Sequence, residues 1–171
     1  MGPLSDVRVI ELAHIMAGPC CGLMLADMGA DVIKIEKAPG GDDSRRFLPP
    51  DIGDESAAFL MMNRNKRGIT LNMKDPDGLA VFKRLVEKAD VVVENFRPGR
   101  LEEMGLSPDV LLSRNPGLVL VRISGFGQTG PYASRPALDV IVQGMGGMLS
   151  ITGEPGGGPV RPGASIGDIT Q

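Results

Sequence analysis

Val7-Arg8-Val9-Ile10-Glu11-Leu12, then Gly18-Pro19, then Asp31-Val32-Ile33-Lys34-Ile35-Glu36 decide the fold. The first and last runs are dense in β-branched and apolar residues and read as strands. Gly18-Pro19 opens a helix, because proline is tolerated where the N–H has no intrahelical partner. Leu23, Met24 and Met28 supply apolar residues near helical spacing, and Gly29 ends the helix. The result is a strand–helix–strand unit, expected to have parallel strands and a right-handed crossover.

The alternation continues outward. Residues 37–56 are rich in Pro, Gly and Asp and read as a long loop. Ser56 to Met62 reads as a short helix and Ile69-Thr70-Leu71-Asn72 as a short strand. Asp77 starts a helix to about Lys88, with Leu79, Phe82, Leu85 and Val86 on one face. Asp90-Val91-Val92-Val93-Glu94 is nearly all apolar, as expected of a strand covered on both faces. Ser107 caps a helix through Leu111 and Leu112, Leu118 to Ile123 is a strand, and Leu138 to Leu149 reads as helical despite three glycines. This order predicts an α/β fold: an open, mainly parallel, Rossmann-like sheet with helices on both faces.

The bulk numbers exclude several classes. A formal net charge of −3 gives no global attraction to nucleic acid or anionic membrane. Aromatics at 4% and no Trp argue against stacking platforms for single strands. No apolar run approaches a membrane span. Cys20 and Cys21 are adjacent, a poor geometry for a disulfide, and two free thiols suit a reducing cytosol. With those thiols and one histidine, His14, as the soft ligands, a metal site is not expected.

Ligands of open α/β sheets bind at the carboxyl ends of the strands. Ala13 to Pro19 falls there and leads into a helix N-terminus, which favours anions. Lys37, Arg45, Arg46, Arg64, Lys66, Arg67, Arg97 and Arg100 concentrate cations in an acidic chain, a pattern suited to a phosphorylated small molecule. Gly18-Pro19-Cys20-Cys21-Gly22 is not a dinucleotide fingerprint, and Pro19 removes a backbone donor. Asp168 closes a glycine-rich stretch. It reads either as the N-cap of a helix or as a nucleophile able to form a covalent acyl intermediate.

In these segments the chain resembles the class III coenzyme A transferases, relatives of formyl-CoA transferase, carnitine-CoA transferase and alpha-methylacyl-CoA racemase. Seven blocks carry the resemblance in order: Ala17-Gly18-Pro19, Gly29 to Glu36, Gly41-Asp42 before Arg45, Asn63 to Arg67, Val93 to Gly99, Gly125 to Pro131 and Gly163 to Asp168. The resemblance implies that Asp168 is the catalytic aspartate. It implies CoA contacts at Met16 and Ala17, at Lys37, at Leu71, Asn72, Met73 and Lys74, at Asn95, Phe96 and Arg97, and at Arg135, Pro136, Ala137 and Leu138.

It further implies no permanently bound cofactor, an acyl-CoA and a small carboxylic acid as substrates, and an interlocked homodimer; the thiols, not the resemblance, give the expectation of a cytoplasmic location. Family members are longer, so residues 1–171 are expected to be the N-terminal part of the CoA-binding domain. Two positions depart from the pattern: Glu103 stands where relatives often carry a cation, and Leu138 where the racemase branch carries a histidine. Leucine can neither give nor take a proton, which favours transfer over racemisation. A racemase or epimerase, and a CoA-binding fragment without activity, are the alternative expectations.

Overall fold

A computed structural model describes residues 2–170. Five strands form one wholly parallel sheet: β1 (Arg8–Leu12), β2 (Asp31–Lys37), β5 (Arg67–Leu71), β6 (Val91–Glu94) and β7 (Val119–Arg122). Their spatial order is β5-β2-β1-β6-β7, so the chain leaves β1 toward one edge and returns past it to the other. The order reverses beside β1, which places a crevice at its carboxyl end. Register puts Ile10 opposite both Ile33 and Val92.

The period of two in the strands explains why both faces are covered. Ile10, Leu12, Ile33, Ile35 and Val92 point to one face. There they pack on Phe82 and Val86 of α3 (Pro76–Val86), Leu101 of α4 (Arg100–Glu103) and Leu111 of α5 (Pro108–Arg114). Val9, Val32 and Val93 point to the other face, against Ala26 of α1 (Ala17–Asp27). Phe82, Val86, Ile10 and Leu111 are fully buried. Each such side chain stabilises the fold by roughly 1.5–3 kcal/mol.

Helix starts follow local chemistry. Asp75 accepts from the Asp77 N–H and Pro76 holds the first position of α3, one residue earlier than expected. Ser107 accepts from the Val110 N–H and caps α5, as read from the sequence.

Two expectations change. The loop at 37–56 contains a 3-10 turn (Asp43–Arg46) and a two-residue hairpin, β3 (Asp51–Ile52) with β4 (Glu55–Ser56). Ser56 then caps α2 (Ala57–Asn63). The helix expected over Leu138–Leu149 stops early as α6 (Asp139–Met145), because Gly147 is left-handed at φ 83° and begins a separate 3-10 turn, Met148–Ser150. A further one-turn helix, α7 (Ile166–Ile169), contains Asp168, where the sequence offered that residue as a helix N-cap.

Candidate functional site

The crossing from β1 to α1 is the centre of the site. Leu12 ends β1, and Ile15 takes φ +68°, a left-handed conformation that β-branched residues rarely adopt. Holding it costs about 1–3 kcal/mol, so the surroundings must over-determine it. They do so through three side chains. Asp42 accepts from the Ile15 N–H at 3.0 Å. Asn95 accepts from the His14 N–H at 2.9 Å and donates to the His14 carbonyl at 2.9 Å. Lys34 donates to the Ala13 carbonyl at 2.9 Å.

Beneath the turn lies a buried ion network. The Lys34 ammonium is 2.8 Å from Glu11 and 2.9 Å from Asp42, and all three side chains are 2% exposed or less. The Lys66 ammonium reaches the other Glu11 oxygen at 2.7 Å, an ionic contact poorly aligned as a hydrogen bond. Glu11 can sit there because Gly22 on α1 has no side chain; a Cβ would overlap Glu11 Oε2. Burial pushes Asp42 upward, but the Lys34 charge and hydrogen bonds from Lys34, Ser44 and Ile15 outweigh it and hold the group at about 2. Burial lowers Lys66 and His14, the latter against the opposing pull of Asp42 and Asp43.

Two cavities open on this turn. A cavity of about 330 Å³ lies over the carboxyl ends of β1, β2 and β5, walled by Ala13, Lys37, Leu71, Asn72, Met73 and Lys74. A second, of about 650 Å³, includes Met16, Ala17, Asn95, Arg97, Asp139 and Asp168 in its wall. His14, Phe96 and Arg100 line both, so the two form one groove. The His14 and Phe96 rings meet at 5.7 Å in its middle. Glu94 fixes that corner by accepting from the Phe96 N–H at 2.7 Å, while Arg122 neutralises its other oxygen at 2.8 Å.

Asp168 stands at the far end of the groove. It is half-buried inside α7, which packs on α1 and α6. Ser165 occupies the cap position, so Asp168 is not an N-cap; its carboxylate lines the cavity beside Ala17, Leu138 and Asp139. Burial first, and the Asp139 carboxylate second, raise its pKa above the usual aspartate value. Met16 begins α1 with no side-chain cap, so the positive end of that helix meets the same cavity.

The groove therefore gathers most of the residues singled out in the sequence, but not all. Ala137 and Leu138 line the second cavity, with Leu138 71% exposed; Arg135 and Pro136 are exposed and line neither cavity, and the Arg135 guanidinium lies over the Tyr132 ring. Asn95 is present, but both ends of its amide are already committed to His14.

The cationic mouth is thinner than the sequence suggests. Arg67 opens β5 and pairs with Asp31 at the amino end of β2, the opposite rim of a parallel sheet. Arg64 pairs with Asp27, and Lys66 is buried on Glu11. Arg45 is held by Glu36 and Glu55, Lys37 and Arg46 share Asp43, and Arg100 pairs with Glu103. Among the described residues, Arg97 and Lys74 are groove cations that make no ion pair. One local signal of the buried network did exist: Glu11 and Lys34 each stand between two apolar strand residues, and buried charges need partners, though the sequence does not say which.

The groove lies at the switch point of a parallel sheet and ends on a half-buried carboxylate. The profile described as CoA-transferase family III matches residues 4–171. This chain belongs to CoA-transferase family III. A succinate–glutarate CoA-transferase of Agrobacterium fabrum is 52% identical over 98% of this chain and 43% of its own length. An acetyl-CoA:oxalate CoA-transferase of Acetobacter aceti is 46% identical over 98% of this chain and 43% of its own. The crystal structure of a CAIB/BAIF family protein from Brucella suis superposes with a TM-score of 0.94 at 46% identity, covering 98% of this chain and 45% of that one. The family III chain described here thus spans less than half the length of these relatives. No helix among the described residues is long and apolar enough to cross a membrane.

Proposed function

We propose that this chain supplies the CoA groove and the acyl-accepting carboxylate of a CoA transferase that moves CoA from an acyl-CoA to a carboxylic acid. The observation that carries this reading is the continuous groove from Leu71–Lys74 past His14 and Phe96 to Asp168. The nucleotide end of CoA lies against Lys37 and Leu71 to Lys74, with Lys74 and Arg97 as cations for phosphates. The pantetheine arm passes Met16, Ala17 and Asn95 to Arg97, and the thioester rests by Ala137 and Leu138. Arg135 and Pro136 flank the thioester end from the exposed rim.

An Asp168 oxygen attacks the thioester carbonyl. The C–S bond breaks, CoA leaves as thiolate, and a mixed anhydride remains on Asp168. The thiolate attacks the aspartyl carbonyl, releasing the donor's acid as carboxylate and leaving an aspartyl thioester. The acceptor carboxylate attacks that thioester, freeing the thiolate again, and the thiolate then takes the acceptor's acyl group from the new anhydride. No proton is gained or lost overall, and no permanent cofactor is required. The uncapped start of α1 faces the cavity where oxyanions develop, which is where such an end stabilises charge. The names of the relatives point to dicarboxylic acids and their CoA esters as the first substrates to try. An interlocked homodimer, with residues 1–171 as the N-terminal part of the domain, completes the proposal.

The test uses the whole protein that contains this chain, with succinyl-CoA and labelled glutarate. The expected result is transfer, with a hydroxylamine-sensitive adduct mapped to Asp168. Asp168→Ala should abolish both while CoA binding persists. Turnover retained in that variant refutes the reading, as does deuterium wash-in at the α-carbon of the donor without any acceptor acid.

A further inference from the structure

The end of the groove holds two carboxylates rather than one. Asp139 opens α6 and lines both the second cavity and a smaller one of about 110 Å³, and Asp168 does the same. Asp139 Oδ1 accepts from the Asp168 backbone N–H at 3.4 Å. Gly167 eases this approach, since a Cβ there would stand 3.0 Å from Asp139 Oδ1, tighter than ordinary contact. Asp139 Oδ2 accepts from the Gln143 side chain at 2.7 Å, one helical turn along α6. The same Gln143 nitrogen donates to the Ala164 carbonyl at 3.3 Å. Gln143 is 3% exposed, so this amide is a fixed bolt between α6 and the segment leading to Asp168.

We propose that Asp139, held by Gln143, is the positioning residue that sets both the aim and the nucleophilicity of Asp168. This rests on the reading of Asp168 as the acyl acceptor. The backbone contact orients the one-turn helix that carries Asp168, which has too few residues to orient itself. The second negative charge makes the attacking carboxylate more basic, and a more basic oxygen of one type attacks a carbonyl faster.

The charged neighbours of Asp168 are few. On α6 there is Asp139, and on the preceding segment Arg161, whose guanidinium is 3.6 Å from Asp139. The first turn of α1 brings no acidic residue; its thiols are Cys20 and Cys21, and Asp27 closes the helix at its other end, paired with Arg64. Across the cavity stand His14, Arg97 and the Arg100–Glu103 pair. Burial, and then the charges of Asp42, Asp43, Lys34 and Lys37, act most on His14, and none of those residues lies in α6 or α7.

The test measures single-turnover adduct formation from succinyl-CoA against pH, in the whole protein. Adduct formation needs the Asp168 carboxylate, so its rate rises with pH through the Asp168 pKa. Removing the Asp139 charge in Asp139→Asn should move that acid limb to lower pH. The plateau rate should fall about tenfold or more, with little change in the acyl-CoA concentration at half-saturation. Gln143→Met removes the bolt but keeps the charge; it should lower the plateau and leave the limb in place.

An unmoved limb with a full plateau in Asp139→Asn overturns the proposal. If that variant does not fold, a full plateau in Gln143→Met overturns it instead. Asp168→Ala is run alongside. Turnover surviving there refutes the acyl-acceptor reading itself, whereas a dead Asp168→Ala with unaltered Asp139→Asn and Gln143→Met refutes only the positioning role.

Discussion

Lys34→Met tests the network under the His14–Ile15 turn. Lys34 is 2% exposed and its ammonium serves three acceptors, Glu11 at 2.8 Å, Asp42 at 2.9 Å and the Ala13 carbonyl at 2.9 Å. Methionine fills a similar volume without the charge. Glu11 then retains Lys66 alone, and Asp42 retains only N–H and O–H donors from Ile15 and Ser44. Removing one partner of a buried pair costs about 3–5 kcal/mol, because the other charge stays buried.

The loss must depend on pH. Asp42 is held at about 2 in the folded chain, against roughly 3.9 when unfolded. A depressed carboxylate contributes stability above its unfolded pKa and loses it as pH falls through the folded value. The difference is about 2–3 kcal/mol, fully present above roughly pH 5 and largely gone near pH 2. Without Lys34 the depression of Asp42 shrinks, so wild type and variant converge in acid.

The assay is urea unfolding of this chain, followed by far-UV circular dichroism because it has no Trp and one Tyr. With a slope of about 2 kcal/mol/M, the midpoint at pH 7 should drop by about 1.5–2.5 M. At pH 2.5 the gap should narrow markedly. A pH 7 shift below about 0.5 M, or an equal shift at both pH values, refutes the reasoning.

Two further substitutions probe the same centre. Gly22→Ala improves helix propensity by about 1 kcal/mol, yet its Cβ would overlap Glu11 Oε2. Overpacking costs about 1–3 kcal/mol, so thermal unfolding should show a lower Tm, and a higher one counts against the close approach. Asn95→Leu strips both hydrogen bonds from the His14 backbone. It should cost about 2 kcal/mol, or roughly 4–8 °C in Tm. An unchanged Tm would mean that the turn holds itself.

How far the sequence could be read depended on the range of the physics involved. Strand and helix identities rest on periods of two and 3.6, which neighbouring residues set. Ile10, Ile33 and Val92 accordingly fall on one face and Val9, Val32 and Val93 on the other, as the alternation requires. The cap Ser107 acts within three residues and is equally local, whereas the sequence places the start of α3 at Asp77 although Asp75 caps it. Lys37 and Asn95 to Arg97 follow from their places at strand ends, whereas Leu71 to Lys74 are marked only by the family resemblance.

Charge partnership was not legible. Lys34 meets Glu11 across 23 positions, and Asn95 meets His14 across 81. No local pattern says which carboxylate a given cation will find. The basic cluster therefore looked like a phosphate site, whereas folding sends Arg67 to the far rim and spends Arg45, Arg46 and Lys66 on carboxylates.

By itself the amino-acid order determined the layered parallel sheet, the crevice at its carboxyl edge and the carboxylate near residue 168. Tertiary structure alone decided that this carboxylate lies inside a one-turn helix rather than capping one, and that Asp139 and Gln143 stand beside it. The reason is distance along the chain: backbone preferences are settled among adjacent residues, but the pairing of charges and the aim of a side chain are settled only when remote segments are packed together.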